Sequence, residues 1–266
     1  MKIHYKETTD DLATRIQIHS KYGGKDIDQW MLDILDLKPN LRILDVGSGA
    51  GKQCFSYYAY LHGQAEITGG DVNKSLLDQA RSENITRRTG IKFIDLDFNK
   101  KFPFENDQFD LVSCCFAIYY AENVPFTIKE MHRVLKAGGR LFTTGPMPDN
   151  KKMFYDIIKE ATGKPIPPMP GSSRYSSEFL STIKSLFRKV DVLIFENPLK
   201  FDHVDPFIAY TRASLSEDRK LWTSFFKDHS EYETVIERIQ KVAEKWLARD
   251  GNLTMTKVVG GFLAVK

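Results

Sequence analysis

The stretch ILDVGSGAGK, residues 43–52, ends an apolar run in an acid, Asp45, and then alternates three glycines with small residues. Glycine adopts positive φ at little cost and lets a backbone come close to a ligand. A helix beginning just beyond such a loop offers free N–H groups and a partial positive charge, suited to an anion. Dinucleotides, nucleotide phosphates and other adenosine compounds all fit that description. A nucleotide phosphate loop, G-x-x-x-x-G-K-[ST], needs a hydroxyl residue after Lys52, where Gln53 stands. The dinucleotide pattern, G-x-G-x-x-G, needs glycine where Lys52 stands; here the third glycine arrives one residue early, at Gly51. Asp45 lies two residues before Gly47 and gives nothing to a pyrophosphate. A carboxylate there suits a ligand with an ammonium group beside a carboxylate, an amino-acid moiety.

The elements that must position this loop follow from periodicity. Residues 8–37 read as helical, with Leu12, Ile16 and His19 on one face and Ile27, Trp30, Met31, Ile34 and Leu35 on another. RILDVG is a short buried strand, followed by a helix over residues 52–62. AEITGGD is a second strand ending in Asp71, and residues 74–89 a second helix. IKFIDLD and FDLVSCCF are further strands. A helix over 124–135, stopped by Gly138-Gly139, leads into the strand RLFTTG. Strands that alternate with helices and are apolar on both faces imply a doubly wound α/β sheet, mostly parallel. Beyond Gly145 the pattern changes to a helix over 150–162, the proline-rich GKPIPPMPGSS, a helix over 175–187, the strand VDVLIFE, two or three aromatic-rich helices, and a last strand in TKVVGGFLAVK. The expected organisation is an N-terminal helical cover (1–37), a core (38–200 and 252–266) and a helical insertion acting as a lid (201–251).

Composition narrows the class. The 266 residues are 42% hydrophobic and 27% charged, and 38 basic against 35 acidic residues leave a net charge of +3. That small excess, with no dominant Lys/Arg block, is a weak argument for a nucleic-acid partner. The N-terminus has no secretory apolar core, no run is long enough to cross a bilayer, and three cysteines without a C-x-x-C imply a reduced, cytoplasmic protein with no metal site.

Four stretches in order, DVGSGAG, GGDVNKSLLDQAR, IDLDFNKKFPFENDQFDLVSCCFAIYY and EMHRVLKAGGRLFTT, make residues 38–145 resemble the class I S-adenosylmethionine-dependent methyltransferases of the type 11, small-molecule kind. The resemblance implies a Rossmann-like, seven-stranded sheet with the last strand antiparallel, and S-adenosylmethionine as cofactor, released as S-adenosylhomocysteine. It implies that Gly47, Ser48 and Gly49, within the loop closed by Gly51, line the methionine end, with Asp45 orienting it directly or through water. Asp71 would hold the ribose hydroxyls and Val72 would pack on the adenine. Asp97 would accept from the adenine amino group beside the Phe98 backbone, with Asp95 as its rival. Cys115 and Phe116 would sit near the sulfonium.

Methyl transfer from a sulfonium is an in-line displacement that needs alignment and exclusion of water, and no metal. Tyr119 and Tyr120 follow the fourth strand, where one of them would hydrogen-bond the nucleophile or wall the pocket. His19 is a candidate base on the N-terminal helix, and Arg15, one turn earlier, a candidate partner for the methionine carboxylate. CCFAIYY in place of N-P-P-Y or D-P-P-Y argues against adenine- or glutamine-methylating enzymes. The aromatics Phe201, Phe207, Tyr210, Trp222, Phe225, Phe226 and Trp246 suggest an apolar pocket for a small-molecule acceptor, unless they are simply the insertion's core.

Overall fold

The computed structural model describes residues 9–167, 170–214, 219–226 and 229–266. In chain order the elements are α1 (Thr9–Tyr22), α2 (Ile27–Leu35), β1 (Leu41–Val46), α3 (Lys52–Tyr60), β2 (Ala65–Asp71), α4 (Lys74–Arg87), β3 (Lys92–Asp95), β4 (Phe109–Cys115), α5 (Val124–Val134), β5 (Leu135–Pro146), α6 (Lys152–Thr162), α7 (Pro170–Arg174), α8 (Leu180–Leu186), β6 (Lys189–Phe201), α9 (Val204–Ala213), α10 (Arg219–Trp222), α11 (His229–Asp250) and β7 (Leu253–Val265).

Several helices start where a side chain satisfies their first free N–H groups. Asp26 accepts from Asp28 N and Gln29 N at the head of α2, Asn73 from Leu76 N at α4, and Asn123 from Phe126 N at α5. The seven strands form one sheet in the order β3-β2-β1-β4-β5-β7-β6. β1 through β5 pair in parallel and β7 runs antiparallel to β5, as the resemblance implies.

The chain divides into two compact units. One comprises residues 26–147, 171–195 and 259–266; the other comprises residues 1–25, 148–170 and 196–258. In the first, alternate strand residues feed two cores, because successive side chains of a strand point to opposite faces. Ile43, Leu111 and Phe142 pack with α2, α3 and α4 residues such as Met31, Tyr57 and Leu77. Leu44, Val112 and Leu141 pack with Ile128, Met131, Tyr175 and Phe179. In the second unit, Phe154, Phe201, Phe207, Tyr210, Trp222, Phe225 and Phe226 share a single buried cluster with α11 residues. Those aromatics are therefore the core of that unit.

The observed elements differ from the sequence reading in three places. The helical stretch 8–37 is two helices, broken at 23–26, where Asp26 caps α2. The helix expected over 124–135 ends at Val134, but the strand expected only as RLFTTG begins at once with Leu135, which pairs with Phe109. Strand pairing there outweighs the glycine signal. The helix expected over 175–187 opens with a π turn at Tyr175–Phe179 before α8. In the proline-rich loop, residues 168–169 lie outside the described residues. No helix among the described residues is long and apolar enough to cross a membrane, and no group of three or more potential metal ligands occurs among them.

Candidate functional site

The strand order reverses at β1, whose neighbours are β2 on one side and β4 on the other. Open parallel sheets bind ligands at the carboxyl ends of strands at such a point. The glycine loop leaves β1 there. Its backbone is fixed to β2, with Gly47 N and Ser48 N both donating to Gly70 O at 2.7 and 3.0 Å. Gly47 has φ +72, and a Cβ there would lie 2.5 Å from Ala117 Cβ, so a side chain is excluded by both conformation and space. Gly51 starts α3 with φ 83 and no side-chain cap, which leaves the helix's first N–H groups to a ligand.

Asp71 ends β2 and spans the loop. Its Oδ2 accepts from Gly49 N at 2.8 Å and its Oδ1 from Asn73 N at 2.8 Å. Val72 follows with 62% of its surface exposed. An apolar side chain that open at a strand end offers a surface for a flat ring. Asp95 is the last residue of β3. Asp97 lies two residues beyond, where its Oδ1 accepts from Asn99 N at 3.0 Å and its Oδ2 pairs with Lys100 at 3.1 Å. The backbone bond from Asn99 is the main reason its carboxyl sits below the usual range. Phe98 O accepts from Thr127 Oγ1 at 3.0 Å.

Asp45 is turned inward. It is 2% exposed, accepts from Ser113 Oγ at 2.6 Å and takes a 3.6 Å contact from Cys54 Sγ. Burial is the largest influence on it and pushes its carboxyl up to about 6, against the pull of Ser113 and Cys54. A raised acid holds its proton in the folded protein between pH 4 and 6, where the unfolded chain has lost it. Stability therefore falls as pH rises through that window and levels off above it. Asn does not titrate, so Asp45→Asn should gain stability relative to the native protein by about 3 kcal/mol between pH 4 and pH 7. Urea unfolding of both proteins at several pH values checks this; a pH-independent difference would show that Asp45 titrates normally.

At the end of β4, Cys115 is partly buried and its thiol is raised chiefly by burial. Phe116 takes φ 56, uncommon for a bulky residue, and its N donates to Thr144 O and Thr144 Oγ1 at 3.1 and 3.2 Å. Strained backbone of this kind concentrates at functional sites. Tyr119 and Tyr120 lie in a single 3₁₀ turn, rings 4.8 Å apart, with Tyr119 packed on the core and Tyr120 70% exposed.

Asp45, Gly47, Ser48, Gly49, Gly51, Asp71, Val72, Asp97, Phe98, Cys115, Phe116, Tyr119 and Tyr120 all lie in the first unit. Arg15 and His19 belong to the second unit. There Arg15 Nη1 donates to Ala213 O at 2.6 Å, and the His19 ring stacks on Tyr210 at 5.8 Å.

The sequence reading passed over three polar residues: Ser113, which binds Asp45, and Gln53 and Tyr57 on α3. The only signal for the last two was a pair of polar groups four residues apart on an otherwise buried helix face. Gln53 Nε2 and Ser48 Oγ are buried and lack a hydrogen-bond partner among the described residues, and the buried Tyr57 OH neighbours Ser113 and Cys115. Orphaned polar atoms beneath a glycine loop, an uncapped helix start and an acceptor at the end of β2 fit a ligand with a polar amino-acid end and a nucleoside.

A seven-stranded sheet of this order, with a glycine loop at the switch point and an acid closing β2, is the Rossmann-like fold of the class I methyltransferases. Residues 44–143 match the methyltransferase domain family. It is 34% identical over 143 residues to a demethylmenaquinone methyltransferase of Chlorobaculum tepidum, covering 52% of this chain and 56% of that protein. It is 30% identical over 149 residues to a malonyl-[acyl-carrier protein] O-methyltransferase of Legionella pneumophila, covering 56% and 50%. The chain spans about half the length of these relatives. The crystal structure of the YcgJ protein of Bacillus subtilis shares the fold, with a TM-score of 0.59 at 15% identity, over 90% of this chain and 97% of that one.

Proposed function

We propose that the protein transfers a methyl group from S-adenosylmethionine to an oxygen or nitrogen of a small-molecule acceptor, in the cytoplasm. The acceptor's lone pair attacks the methyl carbon in line with sulfur, the carbon–sulfur bond pair passes to sulfur, and S-adenosylhomocysteine leaves. The cofactor supplies the activated methyl; the chain must orient it and keep water out. The observation that carries this reading is the Asp71 carboxylate fixed across the loop to Gly49 N at 2.8 Å.

In this reading Asp71 accepts from the ribose hydroxyls, Val72 covers the adenine, and Asp97 or Asp95 meets the adenine amino group beside the Phe98 backbone. Gly47, Ser48 and Gly49 face the methionine end, which Asp45 supports from within through Ser113. Cys115 and Phe116 border the sulfonium, and Tyr119 or Tyr120 contacts the acceptor. Arg15 and His19, on α1 in the second unit, are kept as a candidate carboxylate partner and a candidate base, the latter only if the acceptor attacks from a protonated state. The names of the two relatives, a demethylmenaquinone methyltransferase and a malonyl-[acyl-carrier protein] O-methyltransferase, support an acceptor that is not a nucleic acid. The three free cysteines support the compartment.

Isothermal titration with S-adenosylmethionine and with NADH tests the cofactor, and transfer of labelled methyl into a metabolite extract tests the acceptor. Micromolar binding of S-adenosylmethionine with label in a small molecule is expected. NADH binding without S-adenosylmethionine binding would overturn the cofactor. Label in RNA, with RNA affinity falling steeply with salt, would overturn the acceptor class.

A further inference from the structure

Parallel strands are ordinarily covered on both faces by the helices of their crossovers. The crossover from β3 to β4, residues 96–108, contains no helix. The outer end of the sheet therefore lacks one such cover. Strand register shows which side chains that leaves. Arg42 is opposite Glu66, Leu44 opposite Thr68, and Thr68 opposite Lys92. Alternation then puts Arg42, Glu66, Thr68, Lys92 and Ile94 on the face that carries Leu44.

A cavity of about 310 Å³ lies at this end of the sheet, lined among others by Arg42, Thr68, Lys92, Ile94, Phe104 and Phe109. All of these residues belong to the first unit. The cavity is at the amino-terminal halves of the strands, whereas the glycine loop and Asp71 leave from the carboxyl ends. Thr68 and Asp71 are three residues apart on β2, roughly 10 Å along an extended strand. The cavity is thus separate from the cofactor cleft.

Its lining is aromatic on one side and charged on the other. Phe104 meets Phe109 edge-on, with ring centroids 4.9 Å apart and an interplanar angle of 84°. Phe109 is buried and Phe104 half-buried, so the pair forms a fixed wall. The Arg42 guanidinium stands 5.9 Å from the Phe109 centroid and pairs with Glu66 at 3.3 Å, which balances both charges. Lys92 is exposed and has no hydrogen bond or ion pair among the described residues. The lining residues thus hold two cations and one acid, and the excess positive charge is at Lys92. Phenylalanine and isoleucine offer water nothing, but they hold a flat ring well. A volume near the lower end of ligand pockets, roughly 300–1,000 Å³, suits one or two fused rings.

We propose that this cavity is a second ligand site, which takes a small planar aromatic molecule with a single negative charge. The ring rests against Phe104 and Ile94, and the anion meets Lys92 Nζ. The site does not depend on which methyl donor or acceptor the carboxyl ends of the strands hold.

Titration calorimetry with naphthalene-2-carboxylate tests this, with saturating S-adenosylmethionine present to fill the cofactor cleft. Naphthalene-2-carboxamide is the uncharged control. The native protein should bind the acid at one site, about threefold more tightly than the amide, the worth of a half-exposed ion pair. Lys92→Gln should remove that preference and leave the amide's affinity unchanged. Thr68→Trp fills the cavity and should weaken both compounds more than about tenfold by steric exclusion. Melting curves show whether each variant is folded; Lys92 is on the surface, so its variant decides the matter if Thr68→Trp does not fold. The proposal fails if the native protein does not bind the acid, if it binds acid and amide alike, if Lys92→Gln keeps the preference, or if folded Thr68→Trp binds as the native protein does.

Discussion

Replacing Asp71 with alanine is expected to weaken S-adenosylmethionine binding about tenfold to a hundredfold. Two losses add. The ribose would lose an ionised acceptor for its hydroxyls, and hydrogen bonds to charged groups are each worth about 1.5–3 kcal/mol. The loop would also lose its tether, because Asp71 Oδ2 accepts from Gly49 N while Oδ1 holds Asn73 N at the head of α4. Without it the glycine loop must be ordered by the ligand, at an entropic cost. Asp71→Asn keeps one acceptor oxygen but turns an amide N–H toward one of those two backbone N–H groups. It should therefore fall near the alanine variant. Titration with S-adenosylmethionine reads the effect directly, and an unchanged dissociation constant in Asp71→Ala would remove Asp71 from the site.

The largest expected loss of stability is at Tyr175. Tyr175→Ala should cost about 3–5 kcal/mol, the range for deleting a large buried ring. The residue is fully buried, and its ring stacks on Phe262 with centroids 4.2 Å apart and an interplanar angle of 6°. Its hydroxyl donates to Thr143 O at 2.8 Å and also lies 3.0 Å from Thr143 Oγ1 and 3.2 Å from Gly260 O. Glycine at 145 and 260 makes room for it: a Cβ on Gly145 would stand 2.8 Å from the ring, and one on Gly260 3.2 Å. The phenol thus ties β5 to β7 beneath the carboxyl ends of the strands. Tyr175→Phe keeps the ring and loses only the hydrogen bonds, so it should cost about 1–2 kcal/mol. Urea unfolding distinguishes the two; equal small losses in both would mean that the ring is not a packing anchor.

The fold was legible because its signals are local and repeated. Each strand from β1 to β5 is a short apolar run bounded by turn residues, and each connecting helix has its own period, so the doubly wound sheet follows from the pattern. Helix ends were less legible where long-range pairing decides them. Leu135 continues an apolar helix pattern in sequence, yet it becomes strand because Phe109 is there to pair with it. The division of the second half was also hidden. Phe154 and Trp222 are far apart in sequence and lie in one core, their ring centroids 6.4 Å apart.

By itself the sequence determined the sheet, the loop and the acid that closes β2, because glycine spacing and a strand-end carboxylate constrain backbone and charge within a few residues. Only the tertiary structure decided what faces inward. Asp45 reads in sequence as orienting the ligand directly or through water, and the structure shows that Ser113, distant along the chain, holds it in the interior at 2.6 Å. Gln53 reads as ordinary helix, and only the structure shows its Nε2 buried with no partner among the described residues. Burial and hydrogen-bond satisfaction depend on what the rest of the chain places alongside, which no local pattern encodes.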